Sequence, residues 1–381
     1  MKICMVSPNY PPNQFKCGVG DYTYHLCQTM YHQGHEIVVI ASTQYLASQN
    51  ETNIQVIPFA HSWDLRTLLK FRHWVTRQDI DIVNIQYSPS LYGPNFKLLP
   101  LLLYNLVPVV TTFHTLMGGT AYNKLLAWIL LSCSTKSISA NEEVTYLINK
   151  RFQYLKGKVV EIPIGSNITP PGLDARRCRT VVCERLNAPL DTLLLTHFGL
   201  FYPGKGVETL LRAVRLLREY CPAFRLLMIG GLWPGAESYY EQLRALATEY
   251  QLDRWVHWIG YCPVEEVSTY LLASDLCVLP YDDGISSRRG SLMAALAHCV
   301  PVISTHPRIP SAYFKDGENV SLVPPRDPEA LRDRIMELMM AAQKRTGLSQ
   351  NGVQLLRVFA WPRIGQQTLE LYAQVSHSRT A

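Results

Sequence analysis

A chain of 381 residues, 48% hydrophobic and 17% charged, has the composition of a globular protein and the length for two domains with sizeable cores. The formal charge of +6 lacks the clustered Lys/Arg excess that would call for a nucleic-acid partner. Ten cysteines include no CxxC pair, so they read as buried free thiols in a reducing compartment, with no structural zinc site.

The first strand candidate, Lys2–Ser7, offers too short an apolar run for a signal peptide. The longest uncharged stretch, 98–123, is broken by Pro100, Pro108, Gly118 and Gly119, which argues against a membrane-spanning helix. The expectation is a cytosolic protein. Further strand candidates follow at Glu36–Ser42, Asp81–Tyr87, Val107–Phe113, Ser134–Ala140 and Val159–Ile164, with helical patterns between them such as Gly20–Gln33 and Ser62–Arg77. The pattern then restarts, with strands predicted at Thr192–Gly199, Phe224–Gly231, Trp255–Gly260, Leu276–Tyr281, Pro301–Thr305 and Val320–Pro324. Strands alternating with helices predict a parallel sheet wrapped on both faces, here twice over. Gly165–Leu190, with Pro170, Pro171 and Pro189, reads as the connection between the two series. The expected fold class is therefore α/β, with two doubly wound domains whose ligand edges, at the carboxyl ends of the strands, face each other across a cleft.

Four motifs sit where such ligands bind. Cys17-Gly18-Val19-Gly20-Asp21 opens a helix, and glycines at a helix start let backbone N–H groups approach a phosphate or a sugar oxygen; a tight loop without ligand is the alternative. A nicotinamide-cofactor fingerprint is excluded by spacing, because ten residues separate Ser7 from Gly18 and no acidic residue closes the second strand. Thr111-Thr112-Phe113-His114 places a histidine at the carboxyl end of an apolar strand. Gly199-Leu200-Phe201-Tyr202-Pro203-Gly204-Lys205-Gly206 holds a lysine between glycines at a helix N-terminus, a combination suited to phosphate oxygens. The segment 283–291 brings Arg288, Arg289, Gly290 and the serines 286, 287 and 291 to the start of another helix, a candidate anion site. Asp79-Ile80-Asp81 mimics a metal-binding DxD, but it lies at the start of its strand, away from the ligand edge, and reads as structural.

The order of these motifs resembles the family 4 retaining glycosyltransferases of the GT-B fold, the group 1 glycosyl transferases, over nearly the whole chain. The resemblance takes in Gly18/Gly20, Gly34-His35-Glu36-Ile37-Val38, Phe113-His114, Ile162-Pro163-Ile164-Gly165 and Gly199…Lys205-Gly206. It continues through Ile229-Gly230-Gly231, the run from Ala295 to Val302, and Phe359-Ala360-Trp361. It implies an N-terminal acceptor-side domain over 1–167, a C-terminal nucleotide-sugar-binding domain over 168–358, and a last helix, 359–381, that packs back on the first domain. It also implies roles. Gly18 and Gly20 would face the donor phosphates or sugar, His114 would lie near the transferred sugar, and Lys205 would sit on the diphosphate. Gly199, Gly231, Ser286, Ser287, Gly290 and Ser291 would complete the donor site, with Arg288 and Arg289 as added cations. No metal and no cofactor is expected beyond the nucleotide-sugar substrate, and the acceptor would be a glycan, a lipid-linked sugar or a small molecule.

Three departures from the family pattern stand out: Leu200 where an arginine is usual, and Ser286 and Ala294 where the paired glutamates fall. Arg288 or Arg289 is expected to restore the missing charge. The departures keep open a catalytically silent nucleotide-sugar-binding partner subunit, and a GT-B enzyme of other chemistry, such as an epimerase or phosphorylase, is a further alternative. Residues 62–77 set Arg66, Lys70, His73 and Arg77 on one helical face, which is either a solvated face or a contact for an anionic membrane.

Overall fold

A computed structural model of the chain describes residues 1–11, 18–42, 54–60, 62–89, 91–92, 94–116, 121–168, 170, 172–221 and 223–377. Cys17, Gly118, Gly119 and Pro171 of the motifs above lie outside these residues. The chain divides into two compact units, Met1–Gly165 with Val358–Ala381, and Ser166–Arg357.

The first unit is built on seven parallel strands: β1 (Lys2–Val6), β2 (Glu36–Ser42), β3 (Gln55–Ala60), β4 (Ile82–Tyr87), β5 (Val109–Phe113), β6 (Lys136–Ser139) and β7 (Val159–Glu161), in the order β3-β2-β1-β4-β5-β6-β7. Its helices are α1 (Gly18–His32), α2 (Leu65–Val75), α3 (Leu99–Leu103), α4 (Ala121–Cys133) and α5 (Glu142–Arg151). The second unit opens with α6 (Ala175–Arg185) and carries six strands: β8 (Leu193–Phe198), β9 (Phe224–Ile229), β10 (Val256–Gly260), β11 (Leu276–Leu279), β12 (Val302–Thr305) and β13 (Ser321–Val323). They lie in the order β10-β9-β8-β11-β12-β13. Helices α7 (Val207–Leu217), α8 (Glu237–Glu249), α9 (Val264–Ala273), α10 (Gly290–Ala297), α11 (Pro328–Met340) and α12 (Ala342–Leu355) follow, and α13 (Trp361–His377) returns to the first unit.

Both sheets share one winding: the third, second, first, fourth, fifth and sixth strands lie side by side. That order reverses direction between the first and fourth strands, and the loops after them are left uncovered by a crossover. Central strands are buried along almost their whole length because helices cover both faces; Ile3, Cys4, Met5 and Val6 are all fully buried. Helix α7 shows the complementary pattern, with Val207, Leu210, Leu211, Val214 and Leu217 buried on one stripe. Helix starts are set locally. Asp64, Asn141, Asp174 and Asp327 each accept a hydrogen bond from a first-turn backbone N–H of α2, α5, α6 and α11 respectively.

Two elements differ from the sequence expectation. Strand β3 was not anticipated: it contains Pro58, buries only Ala60 fully and lies at the sheet edge, where a proline is tolerated and alternation fades. The stretch read as a connection, 165–190, holds α6, whose buried stripe is only Cys178, Val182 and Cys183. The Asp81 carboxylate accepts a hydrogen bond from the Lys2 backbone N–H at 2.7 Å, so it closes the start of two strands, in keeping with a structural reading.

In the last helix, Ile364, Leu371, Tyr372 and Val375 join the cluster formed by Ile3 and Met5 of β1 and Tyr22 and Leu26 of α1. In the second unit, Gly206 caps α7 in the left-handed region at φ 70°, and a Cβ there would fall 1.8 Å from the Pro280 carbonyl oxygen. The loop after β8 therefore presses on the loop after β11, and only a residue without a side chain allows it. Gly206→Ala should destabilise the protein by about 1–3 kcal/mol from backbone strain alone, with the steric overlap adding to it. Equilibrium urea unfolding checks this; an unchanged midpoint would refute the packing argument.

Candidate functional site

The two loops that meet at the Gly206–Pro280 contact leave β8 and β11, the neighbours that flank the reversal of strand order in the second sheet. They bring together two of the sequence motifs, 199–206 and 283–291. Lys205 is buried, with its Nζ 4.9 Å from the centre of the Tyr202 ring and 5.2 Å from that of Tyr281. Arg289 lies over the same Tyr281 ring at 4.3 Å. A Cβ on Gly199 would sit 3.6 Å from Lys205 Nζ and 3.5 Å from Ser291 Oγ, so this glycine keeps the floor of the group bare. The Ser291 and Tyr281 hydroxyls are 2.7 Å apart.

One carboxylate holds both arginines. Asp283 Oδ2 accepts from Arg288 at 2.6 Å, and its Oδ1 pairs with Arg289. The neighbouring Asp282 pairs with Arg326 instead, at 3.4 Å. Three cations thus share a single carboxylate. The consequence falls on Lys205, whose ammonium is pushed down to about 7 by burial, then by Arg289 and Arg288, with Asp283 opposing. Such a group is short of negative charge. Neither α7 nor α10 has a side-chain cap at its N-terminus, so both helices add the positive ends of their dipoles here. Arg289 Nε and, at the end of β8, His197 Nε2 are buried with no hydrogen-bond partner among the described residues. His197 Nδ1 meets the Val278 carbonyl at 2.9 Å, and burial pushes its imidazole down to about 4.

The remaining residues of this set act on the loop. Ser286 shapes the turn, accepting from Arg289 N through its carbonyl at 3.2 Å and from Arg288 N through Oγ at 3.4 Å. Ser286 and Ser287 are both buried, whereas Gly290 faces open space at the start of α10. Gly231 lies apart from the cations, beside Tyr261 and Leu200, and its carbonyl accepts from Phe201 N at 2.9 Å. Leu200 is 37% exposed and Ala294 is buried. The sequence reading named the cations and glycines, gave Asp283 only as one end of a motif, and assigned no role to Tyr281 or His197. His197 and Tyr281 lie at strand carboxyl ends, the same signal that singled out His114.

In the first unit, His114 follows β5 and is buried. Its Nε2 lies 2.8 Å from Gln86 Oε1, its backbone N–H donates to Tyr87 O at 3.0 Å, and its carbonyl accepts from Asn141 Nδ2 at 3.0 Å. The Tyr22 ring meets it edge-on at 4.8 Å. Burial alone pushes this imidazole down to about 3, so it is neutral throughout the physiological range. Gly20 packs against Asn9, 3.2 Å from its carbonyl oxygen to a built Cβ, while Gly18 has open space around it at the start of α1. Ser7 Oγ donates to Asn9 O at 2.6 Å and lies 3.1 Å from Thr23 Oγ1, which fixes the loop after β1 against α1.

Known proteins share this architecture. The profile "Glycosyltransferase Family 4" matches residues 17–169, and the profile "Glycosyl transferases group 1" matches 183–355. The chain is 25% identical over 245 residues to D-inositol 3-phosphate glycosyltransferase of Corynebacterium efficiens, covering 63% of this chain and 56% of that protein. The chain spans about half the length of the first curated relatives it matches. It is 23% identical over 380 residues to phosphatidyl-myo-inositol mannosyltransferase of Mycobacterium leprae, covering 95% of this chain and 94% of that one. Among solved structures, Anabaena HepE in complex with UDP and glucose superimposes with a TM-score of 0.75 at 15% identity, covering 98% of this chain and all of that one. With one profile on each half and the GT-B winding in both sheets, the chain belongs to the group 1, family 4 glycosyltransferases.

Proposed function

We propose that the protein transfers a sugar from a nucleotide-sugar donor to a lipid, saccharide or small-molecule acceptor, with retention of anomeric configuration and without a metal. The observation that carries this reading is the convergence of Lys205 and Arg289 on Tyr281, with Arg288 held beside them by Asp283, short of negative charge and flanked by two uncapped helix starts. A diphosphate supplies the missing charge. As the bond from the sugar to the diphosphate breaks, negative charge grows on the leaving oxygen, and these cations stabilise it. An oxygen of the departing diphosphate takes the acceptor proton, on the same face from which it leaves. His114 contributes a neutral imidazole to the transferred sugar, and Arg289 supplies the charge that an arginine at position 200 would otherwise bring. The UDP and glucose bound by HepE support a nucleotide-sugar donor, and the lipid named for the mycobacterial mannosyltransferase supports a lipid among the acceptors.

The helix α2 supports peripheral contact with an anionic membrane. Leu65 and Leu69 are 54% and 49% exposed, and they flank the face bearing Arg66, Lys70, His73 and Arg77. From Ile82 to Asn141 the sequence contains no Asp or Glu. Exposed leucines beside lysine and arginine suit the headgroup region of such a surface. Among the described residues no helix is long and apolar enough to cross a membrane.

Three outcomes are expected. Lys205→Ala and Arg289→Ala should each lower kcat/KM on the order of a hundredfold or more, the effect of removing about 2.7–4 kcal/mol of transition-state stabilisation. Release of nucleoside diphosphate from a panel of nucleotide sugars measures this, with chelator having no effect; absence of any release with bound donor would establish a silent binding subunit instead. Because the Lys205 ammonium is penalised in the empty site, its protonation must accompany diphosphate binding above pH 7. Affinity for a nucleoside diphosphate should therefore fall with rising pH above about 7, by up to about tenfold per unit, and the dependence should vanish in Lys205→Met. Calorimetric titration across pH 7–9 tests the sign. Finally, vesicles containing phosphatidylglycerol should bind the protein at low salt, and phosphatidylcholine vesicles should not; Arg66→Glu with Lys70→Glu should abolish that binding while nucleotide binding persists.

A further inference from the structure

We propose that Tyr281 is a positioning residue of the cation group: its ring holds Lys205 and Arg289 in one place, and its hydroxyl ties them to the start of α10. Tyr281 lies just beyond β11 and is wholly buried. Its backbone is pinned from several sides. The N–H donates to Leu279 O at 3.0 Å, and the carbonyl accepts from Gly284 N at 3.2 Å and from Thr305 Oγ1 of β12 at 2.5 Å.

The ring is therefore a fixed surface, and two cations converge on it. Arg289 stands 4.3 Å from its centre and Lys205 Nζ 5.2 Å, both inside the distance of about 6 Å at which a cation is drawn to an aromatic face. That attraction is strongest where water is excluded, and both side chains are buried. Tyr202 also faces Lys205, at 4.9 Å, but it is half-buried and packs on Trp233 at 5.6 Å. Tyr281 is the ring that both cations share. The groups acting on the Lys205 ammonium come from every side: Tyr202 on its own loop, Tyr281 after β11, Asp283, Arg288 and Arg289 before α10, and the buried, neutral His197 of β8. Asp283 is bonded to the two arginines, so the aromatic faces are the close contacts that favour the ammonium.

The hydroxyl extends the grip. Tyr281 Oη is 2.7 Å from Ser291 Oγ, in the first turn of α10. Ser291 Oγ and Lys205 Nζ border the same glycine, 3.5 and 3.6 Å from a Cβ built on Gly199. One side chain thus joins the lysine of the first loop, the arginine of the second and the helix start. That this group receives a diphosphate rests on the function proposed above; the role of Tyr281 in holding it does not.

The test is lysine side-chain carbon NMR on the full ligand-free chain from pH 5 to 10, with Lys205→Met used to assign the signal. Removing the ring removes an attraction felt only by the ammonium, so the charged form loses ground and the midpoint falls. The Lys205 midpoint should lie well below the ordinary 10.4, stay in place in Tyr281→Phe, and drop by about one unit in Tyr281→Leu, a tenfold change or about 1.4 kcal/mol. Increasingly fluorinated phenylalanines at position 281 keep the ring's shape while stripping its negative face, so the midpoint should fall along that series even if Tyr281→Leu does not fold. A midpoint that ignores the ring, or one that drops equally in Tyr281→Phe, would overturn the proposal. A double-mutant cycle of Tyr281→Phe and Ser291→Ala in urea unfolding should show a coupling of about fivefold in the unfolding constant; additive effects would remove the tie to α10. Calorimetric titration with inorganic pyrophosphate should show about tenfold weaker binding in Tyr281→Leu, and equal binding would count against positioning. If the unaltered protein does not bind pyrophosphate while the midpoints move as expected, the diphosphate reading alone fails.

Discussion

A lysine ammonium buried beside two guanidinium groups is costly, and the second unit is arranged around that cost. Lys205 is buried, and the carboxylate that acts on it, Asp283, already serves Arg288 and Arg289. What offsets the repulsion is partial: the faces of Tyr202 and Tyr281, and the single charge of Asp283. The imbalance persists as a lysine that is only half charged near neutrality. An anion with two or more negative charges removes it at once, which is why electrostatics, rather than shape, points to a diphosphate.

The fold delivers this group without any long-range improvisation. In each unit the chain winds so that the loops after the first and fourth strands emerge side by side, and in the second unit the Gly206–Pro280 approach locks those two loops together. The same winding in the first unit gathers a different chemistry: a buried run of amides and hydroxyls ending on a neutral histidine. The loops of the second unit gather charge, whereas the Asn84–Gln86–His114 run of the first unit carries none.

The central strands of both sheets were legible because each is a largely apolar, β-branched run bounded by turns. Strand β3 was not, since Pro58 and its exposed positions erase the alternation that marks an edge. Helix α6 was hidden for a related reason: two of its three buried residues are cysteines among arginines, too thin a stripe to read as a core face. Lys205, Arg288 and Arg289 could be found because glycines and helix starts adjoin them in sequence. Asp283 was visible only as one end of a motif, and its bridging role depends on both arginines folding back over it. Asn84 and Gln86, which lead to His114, gave no signal at all, because polar side chains inside a strand look like exposed positions.

The replacement of the usual arginine by Leu200 is answerable from the geometry of the two candidates. Losing one preorganised donor to developing charge costs about 2.7–4 kcal/mol unless something stands in for it. Arg288 is 29% exposed in its side chain, so much of its charge is screened by solvent, whereas Arg289 is 7% exposed and lies over the Tyr281 ring that Lys205 also faces. Charge held in a low-dielectric setting acts more strongly on a neighbouring anion than charge at the surface. The bond to Asp283 preorganises both arginines, so burial and the Tyr281 ring are what separate them. On the proposed function, Arg289 would therefore take over the missing charge, and Arg288 would share Asp283, so that the carboxylate does not neutralise Arg289 alone.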